Sequence, residues 1–372
     1  MQNTSKYILA VATFSGTVIG VGIFSLPYIA TKVGMWVMLA YLLVLTGLVI
    51  LIHLIFSEVA LQTPDFLRLP GYSKIYLGNW GRAVALIATI LGYIGTLLAY
   101  IIIGGVFLAN LLVPILGGNI FLYILLYWIL GAVFILWGIN AVSRIEFWGL
   151  VLFFISLIVI FWKGFSFLHL GNLPIQMSDI SNWFLPYGPI LFALWGATMI
   201  PEVEEMLGED KKKTKKVVLV ATIIPAICYL LFILFVVAIS GAGTTLEAIT
   251  GLQGLLGKNV MSLMFFAGFL ATFTSFIAVG LTLKKVFWYD LTMPHYFSWV
   301  LTCSVPLLLY LLGFQDFIKT IGLVGGVGIA IEGILILLIY DKIKKNKSRF
   351  LIYPLILIFL AGIIYEILYF IK

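Results

Sequence analysis

Residues 13–27 read TFSGTVIGVGIFSLP and set Gly16, Gly20, Gly22, the Thr17 hydroxyl and Pro27 inside an apolar run. Glycine is a poor helix former, and backbone that leaves the helix in hydrocarbon exposes N–H and C=O groups. Each unbound group costs several kcal/mol there. The chemistry such a stretch offers is binding. Amides that open the following half-helix suit a carboxylate, and carbonyls that end the preceding half suit an ammonium group or a metal cation. Gly16 and Gly20 also form a G-x-x-x-G pair, which by itself would let two helices pack closely.

A second stretch repeats the peculiarity. Residues 188–205 read GPILFALWGATMIPEVEE, an apolar run followed by Gly196 and then Pro201, a natural first residue for a new helix. Glu202, Glu204 and Glu205 fall in that helix's first turn, where its positive end favours them. Phe192, Trp195, Gly196, Ala197 and Thr198 are the substrate-facing candidates, the aromatics as walls and the small residues as space. Between the two stretches, Tyr93, Thr96, Tyr100 and Gly104 share one helical face, and the Tyr100 hydroxyl is placed to meet a substrate carboxylate. Of the ionisable residues inside apolar runs, Glu332 beside GLVGGVG (322–328) is the candidate proton carrier or gate partner. Glu202 and Glu205 are further gate candidates beside basic residues such as Lys211 and Arg82, with Glu58 nearby. His53 and Glu366 read as peripheral.

The elements that must position these residues are transmembrane helices. Of the 372 residues, 63% are hydrophobic and 10% charged, with a mean hydropathy of +1.18, far outside the range of soluble domains. Eleven runs are long enough to cross a bilayer: about 7–31, 34–57, 83–113, 120–140, 147–163, 183–206, 216–240, 259–283, 296–313, 317–340 and 350–371. Five spans separate the two interrupted segments. A second five-helix unit (about 183–340) would therefore be inverted relative to the first (about 7–163), with 350–371 as an extra helix. The expectation is a single all-α membrane domain over 1–372.

Charge placement sets an orientation. With the N-terminus cytoplasmic, five of the 22 Lys and Arg (Lys32, Lys163, Lys258, Lys319, Lys372) fall outside and the rest inside, including Arg144, Lys347 and the run KKKTKK (211–216). That places the C-terminus outside a cell membrane, and it explains the basic runs without nucleic acid. No metal spacing, phosphate-binding loop or catalytic set appears among His53, His169, His295, Cys228 and Cys303, so the chain reads as no enzyme and needs no cofactor.

GTVIGVGIFSLP and ALWGATMIPEVEEM resemble the first- and sixth-helix regions of the amino acid–polyamine–organocation superfamily. LGYIGTLLAYIIIGG (91–105) and FTSFIAVGLTLKKVFWYDL (273–291) are similar to the third and eighth helices of its auxin/amino-acid permease branch, including the aromatic amino acid permeases. The resemblance implies the five-plus-five inverted-repeat fold typified by the bacterial leucine transporter, with helices one and six broken. In sodium-coupled relatives a hydroxyl pair on helix eight joins helix-one carbonyls around the ion. That pattern would place Thr274 and Ser275 beside the carbonyls of Gly16 and Ile19. The expectation is a secondary active transporter taking up neutral, aromatic or other hydrophobic amino acids by alternating access, coupled to Na+ or H+. Its rival is a membrane amino-acid receptor of the same fold. Neither needs an obligate protein partner.

Overall fold

The computed structural model describes residues 2–63, 67–137, 142–176, 182–208, 211–345 and 349–371. Lys347 and Lys372 lie outside the described residues, as do the side chains of Arg144 and Lys211. Among the described residues the secondary structure is helical throughout: α1 (Gln2–Val18), α2 (Leu26–Val33), α3 (Met35–Gln62), α4 (Leu69–Leu116), α5 (Ile120–Trp137), α6 (Val142–Gly164), α7 (Tyr187–Leu194), α8 (Ile200–Leu207), α9 (Lys211–Ser240), α10 (Lys258–Lys285), α11 (His295–Leu311), α12 (Phe317–Leu323), α13 (Ala330–Ile343) and α14 (Arg349–Ile371). Among the described residues, helix makes up most of each of the eleven apolar runs. Seven helical stretches among the described residues are long and apolar enough to cross a membrane unaided, and the bent pair α1–α2 makes an eighth. The runs at α6 and α11 give shorter apolar helices, and the sixth run is split between α7 and α8, eight residues each.

Helix one breaks later than the glycine count suggests. Gly16 is helical, and the Ile19 amide still donates to Ser15 O at 2.9 Å. The chain then turns extended at Gly20 (φ −123°, ψ −153°), passes a tight 3₁₀ turn over Val21–Ser25 and resumes as α2 with Pro27 in its first turn. The two halves are bent by 47°. Helix six breaks where Gly196 and Pro201 place it: α7 ends at an extended Trp195 (φ −74°, ψ 122°), and α8 starts after a 3₁₀ turn over Ala197–Met199.

One element was hidden from hydropathy. The polar segment before the third run is helical from Leu69 and joins the membrane span through Gly78, whose φ of +78° and ψ of −159° turn the chain sharply. A side chain would be strained in that conformation, so glycine is the residue for the corner.

The scaffold around the breaks is closely packed. α9 lies against α1, α2 and α3, while α10 lies against α4, α5 and α6. Pro225 in α9 has no N–H for the carbonyl of Ala221 four residues back, and Ser15 of α1 donates its hydroxyl there at 3.2 Å. On the opposite flank, α7 runs against the π-helical turn Val324–Ile329 that joins α12 to α13. A Cβ on Gly325 would meet the Gly188 carbonyl oxygen at 1.9 Å and the Phe192 amide nitrogen at 2.9 Å. Both obstacles are backbone, so Gly325→Ala should destabilise the fold by about 1–3 kcal/mol. A thermal melt of the detergent-solubilised protein checks this, with a midpoint several degrees below wild type expected.

Candidate functional site

The two breaks touch. A Cβ on Gly22 would lie 2.8 Å from the Cα of Ala193, and one on Gly196 would lie 2.7 Å from Phe14 and from Val18. The carbonyls that end the first halves, Val18 O and Ala193 O, converge on the buried hydroxyl of Tyr229 in α9, at 2.7 and 2.8 Å. That hydroxyl carries one hydrogen, so it donates to one carbonyl at a time while sitting between both. Its position is where the negative ends of α1 and α7 come together.

Two donors at the helix-six break are held by ionisable side chains from other spans. The indole Nε1 of Trp195 donates to Glu332 Oε2 of α13 at 2.9 Å, and Thr89 of α4 donates its hydroxyl to Glu332 Oε1 at 3.3 Å. The amide of Gly196 donates to Nε2 of His53 in α3 at 3.2 Å. His53 Nδ1 lies 3.1 Å from the Thr222 hydroxyl, which itself donates to Val218 O at 2.8 Å. Since Nε2 accepts, a neutral imidazole carries its hydrogen on Nδ1 and donates to Thr222. The ring is fully buried between Phe14 and Trp195, with centroids 5.6 and 5.4 Å away.

Two cavities meet at this point. The upper is lined by Thr17, Gly20, Val21, Gly22, Thr96, Tyr100, Phe192, Trp195, Thr198, Val324 and Glu332, among others. Counting its open mouth, the space between these residues is about 720 Å³. The lower is lined by Thr13, Thr17, Arg68, Ala197, Thr198, Glu202, Ala278, Val279, Thr282, Asp290 and Glu332, among others. Thr17, Thr89, Tyr93, Thr198, Val279 and Glu332 belong to both walls. Glu332 is the one charged side chain among the described residues lining the upper cavity. The first-turn amides of Val21 and Gly22 precede any intrahelical acceptor and border this cavity, with the Tyr100 hydroxyl against Gly20.

The sequence candidates therefore divide. Thr17, Gly20, Gly22, Tyr100, Phe192, Trp195, Ala197, Thr198, Glu202 and Glu332 come together at the cavities. Gly16 stays inside α1. Gly196 lines neither cavity, and both its backbone groups are paired, the amide with His53 and the carbonyl with the Met199 amide at 3.0 Å. Thr274 turns its hydroxyl back to Leu270 O and Ala271 O, at 3.0 and 3.3 Å, and Ser275 and Ile19 line neither cavity. Helix eight presents Ala278, Val279 and Thr282 to the lower cavity instead. Glu205 is exposed and lines neither cavity. Glu202 faces Arg68 at 3.8 Å, whereas Glu58 pairs with Lys215 at 3.2 Å and with Lys344. Arg82 donates to Asp290 O at 3.3 Å, and the side chain of Lys211 lies outside the described residues. Glu366 is buried rather than peripheral: it accepts from the Gly188 amide at 3.2 Å, at the start of α7. Sequence reasoning did not bring His53 or Tyr229 to the breaks. Each sits mid-span on a different helix, with nothing local to mark its partner.

The profile of the tryptophan/tyrosine permease family matches residues 3–369. The chain belongs to that family. Its members are transporters, so the chain is a transporter and not an enzyme. No curated protein matches this permease. Among solved structures it is similar to Mhp1, a nucleobase-cation-symport-1 family transporter, in a closed conformation with bromovinylhydantoin bound. The TM-score is 0.65 at 14% identity, covering 97% of this chain and 90% of that one. The inward-facing conformation of Mhp1 matches with the same score and identity, over 97% and 88%. The permease thus has the fold of that transporter.

Tyr229 generates a prediction. Tyr229→Phe leaves one carbonyl more without a donor in a buried site, at a cost of about 1–3 kcal/mol. A lowered melting midpoint and a matching loss of transport are expected, measured on the same purified protein.

Proposed function

We propose that this permease is a proton-coupled symporter of aromatic amino acids in the cell membrane, working by alternating access with eleven spans arranged as five plus five inverted helices and one extra. The observation that carries this reading is Glu332, the one charged group on the upper cavity's described wall, bonded to the break of helix six through Trp195. A carboxyl at that depth can change charge by taking a proton, and its change of state reaches the helix that must move. The substrate's carboxylate is held by the amides of Val21 and Gly22 and the hydroxyl of Tyr100, at the positive start of helix one's second half. Its ammonium faces Glu332 and Thr17. Its ring packs against Phe192, Trp195 and Val324, a wall with no counter-charge for a basic or acidic side chain.

Sodium has weaker support. The carbonyls that a cation would take, Val18 O and Ala193 O, are served by Tyr229, and Thr274 is turned to its own helix. The lower cavity continues past Arg68 and Asp290, at the end of the bundle shared with the basic runs, which the positive-inside bias assigns to the cytoplasm. It is the exit route.

The test is uptake of radiolabelled tryptophan, tyrosine and phenylalanine into proteoliposomes under proton and sodium gradients imposed separately. Concentrative uptake under the proton gradient alone is expected. Saturable binding without uptake under either gradient would mark a receptor instead. Glu332→Gln should abolish proton-driven accumulation yet retain exchange of labelled for unlabelled substrate at raised substrate concentration, since exchange needs no net proton movement and the ammonium loses only its charged partner. Loss of exchange together with accumulation would place Glu332 in substrate binding alone.

A further inference from the structure

The backbone at the helix-six break is held by a side chain that the transport reading does not use. We propose that His53 is a positioning residue, a fixed anchor for the hinge of helix six, and not a carrier of protons. The inference rests on the transport reading above for its functional consequence, and on geometry for the anchor itself.

A break in hydrocarbon frees amides that no helix bond can satisfy, and Gly196 is the residue where helix six leaves its regular path. Its conformation (φ −135°, ψ 15°) aims the N–H at α3, where His53 Nε2 receives it at 3.2 Å. The acceptor is itself tied down: Nδ1 meets the Thr222 hydroxyl at 3.1 Å, and that hydroxyl is committed to Val218 O. The relay from Gly196 through His53 and Thr222 to Val218 gives every donor one acceptor in one direction. A single tautomer, hydrogen on Nδ1, completes it.

Packing removes the ring's remaining freedom. Phe14 of the first half of helix one and Trp195 of the break lie on either side, with Trp195 in turn bonded to Glu332. His53 thus holds the amide of residue 196 while Glu332 holds the side chain of residue 195. Two neighbouring residues of the hinge are gripped from two different spans. Release of the Glu332 bond swings Trp195 while Gly196 stays pinned, so the pivot of the motion is at Gly196. Loss of His53 frees the pivot, and the swing of Trp195 no longer moves the rest of helix six.

The anchor is read without substrate by hydrogen–deuterium exchange of the purified protein, followed in peptides covering residues 188–199. His53→Leu keeps bulk but offers no acceptor, and His53→Gln offers an amide oxygen to the same N–H. In His53→Leu the hinge peptide should exchange roughly tenfold faster or more, and His53→Gln should restore the slow rate. Thr222→Val, which frees the ring while keeping its shape, should give an intermediate rate and decides the matter if His53→Leu does not fold. In proteoliposomes, maximal uptake by His53→Leu should fall about as far with little change in KM, because the carboxylate seat on helix one is untouched. His53→Gln should keep both maximal uptake and the pH profile of wild type. Unchanged exchange in His53→Leu and Thr222→Val would overturn the anchor. A pH profile lost in His53→Gln would overturn it too, in favour of a proton-carrying imidazole. If wild type itself neither binds nor accumulates aromatic amino acids, the transport reading fails while the exchange data still judge the anchor.

Discussion

Every polar backbone group freed where helices one and six break must find a partner inside hydrocarbon, and the rest of the structure follows from how that is met. The most consequential partner is the Tyr229 hydroxyl, within 2.8 Å of Val18 O at the end of α1 and of Ala193 O, one residue before the end of α7. It joins the negative ends of α1 and α7 with a neutral dipole, where a cation is the other physical solution. Because both carbonyls reach one atom, the two breaks are held at one height in the bundle. The close approaches of Gly22 to Ala193 and of Gly196 to Phe14 and Val18 exist only at that register.

Once the first halves are tied together, the second halves have different tasks. The start of the second half of helix one borders the upper cavity at Val21 and Gly22, whereas the break of helix six is occupied by His53 and Glu332. In the proposed transport cycle one break is a seat and the other a hinge. Glu332 connects them, since it forms part of the seat's wall while bonding the hinge residue Trp195. The C-terminal helix α14 joins the same arrangement at its far end, where Glu366 accepts the Gly188 amide at the start of α7.

Much of this could be read from the sequence because breaks announce themselves locally. Gly196 and Pro201 place the second interruption to within a residue or so of its ends at Trp195 and Ile200, and Glu332 stands out as a carboxyl in an apolar run. The first break could be placed only to within a few residues. Gly16 and Gly20 are equally weak helix formers, and the choice between them is made by tertiary contacts such as Ser15 with Ala221. Residues that serve the breaks from elsewhere were not legible. His53 and Tyr229 are single polar residues in apolar spans, and periodicity gives the face of a helix but not what lies opposite. Thr274 shows the converse: a hydroxyl in a suggestive string satisfies itself on its own helix four residues back.

The account's central claim is that side chains, and not a metal cation, complete the broken helices. Equilibrium binding of radiolabelled tryptophan to the purified permease, with sodium replaced stepwise by choline at constant ionic strength, tests it most directly. Binding and sodium are linked reciprocally if an ion sits beside the substrate. The predicted result is an affinity that does not change with sodium. An affinity that rises with sodium would contradict the account and return a cation to the carbonyls assigned to Tyr229.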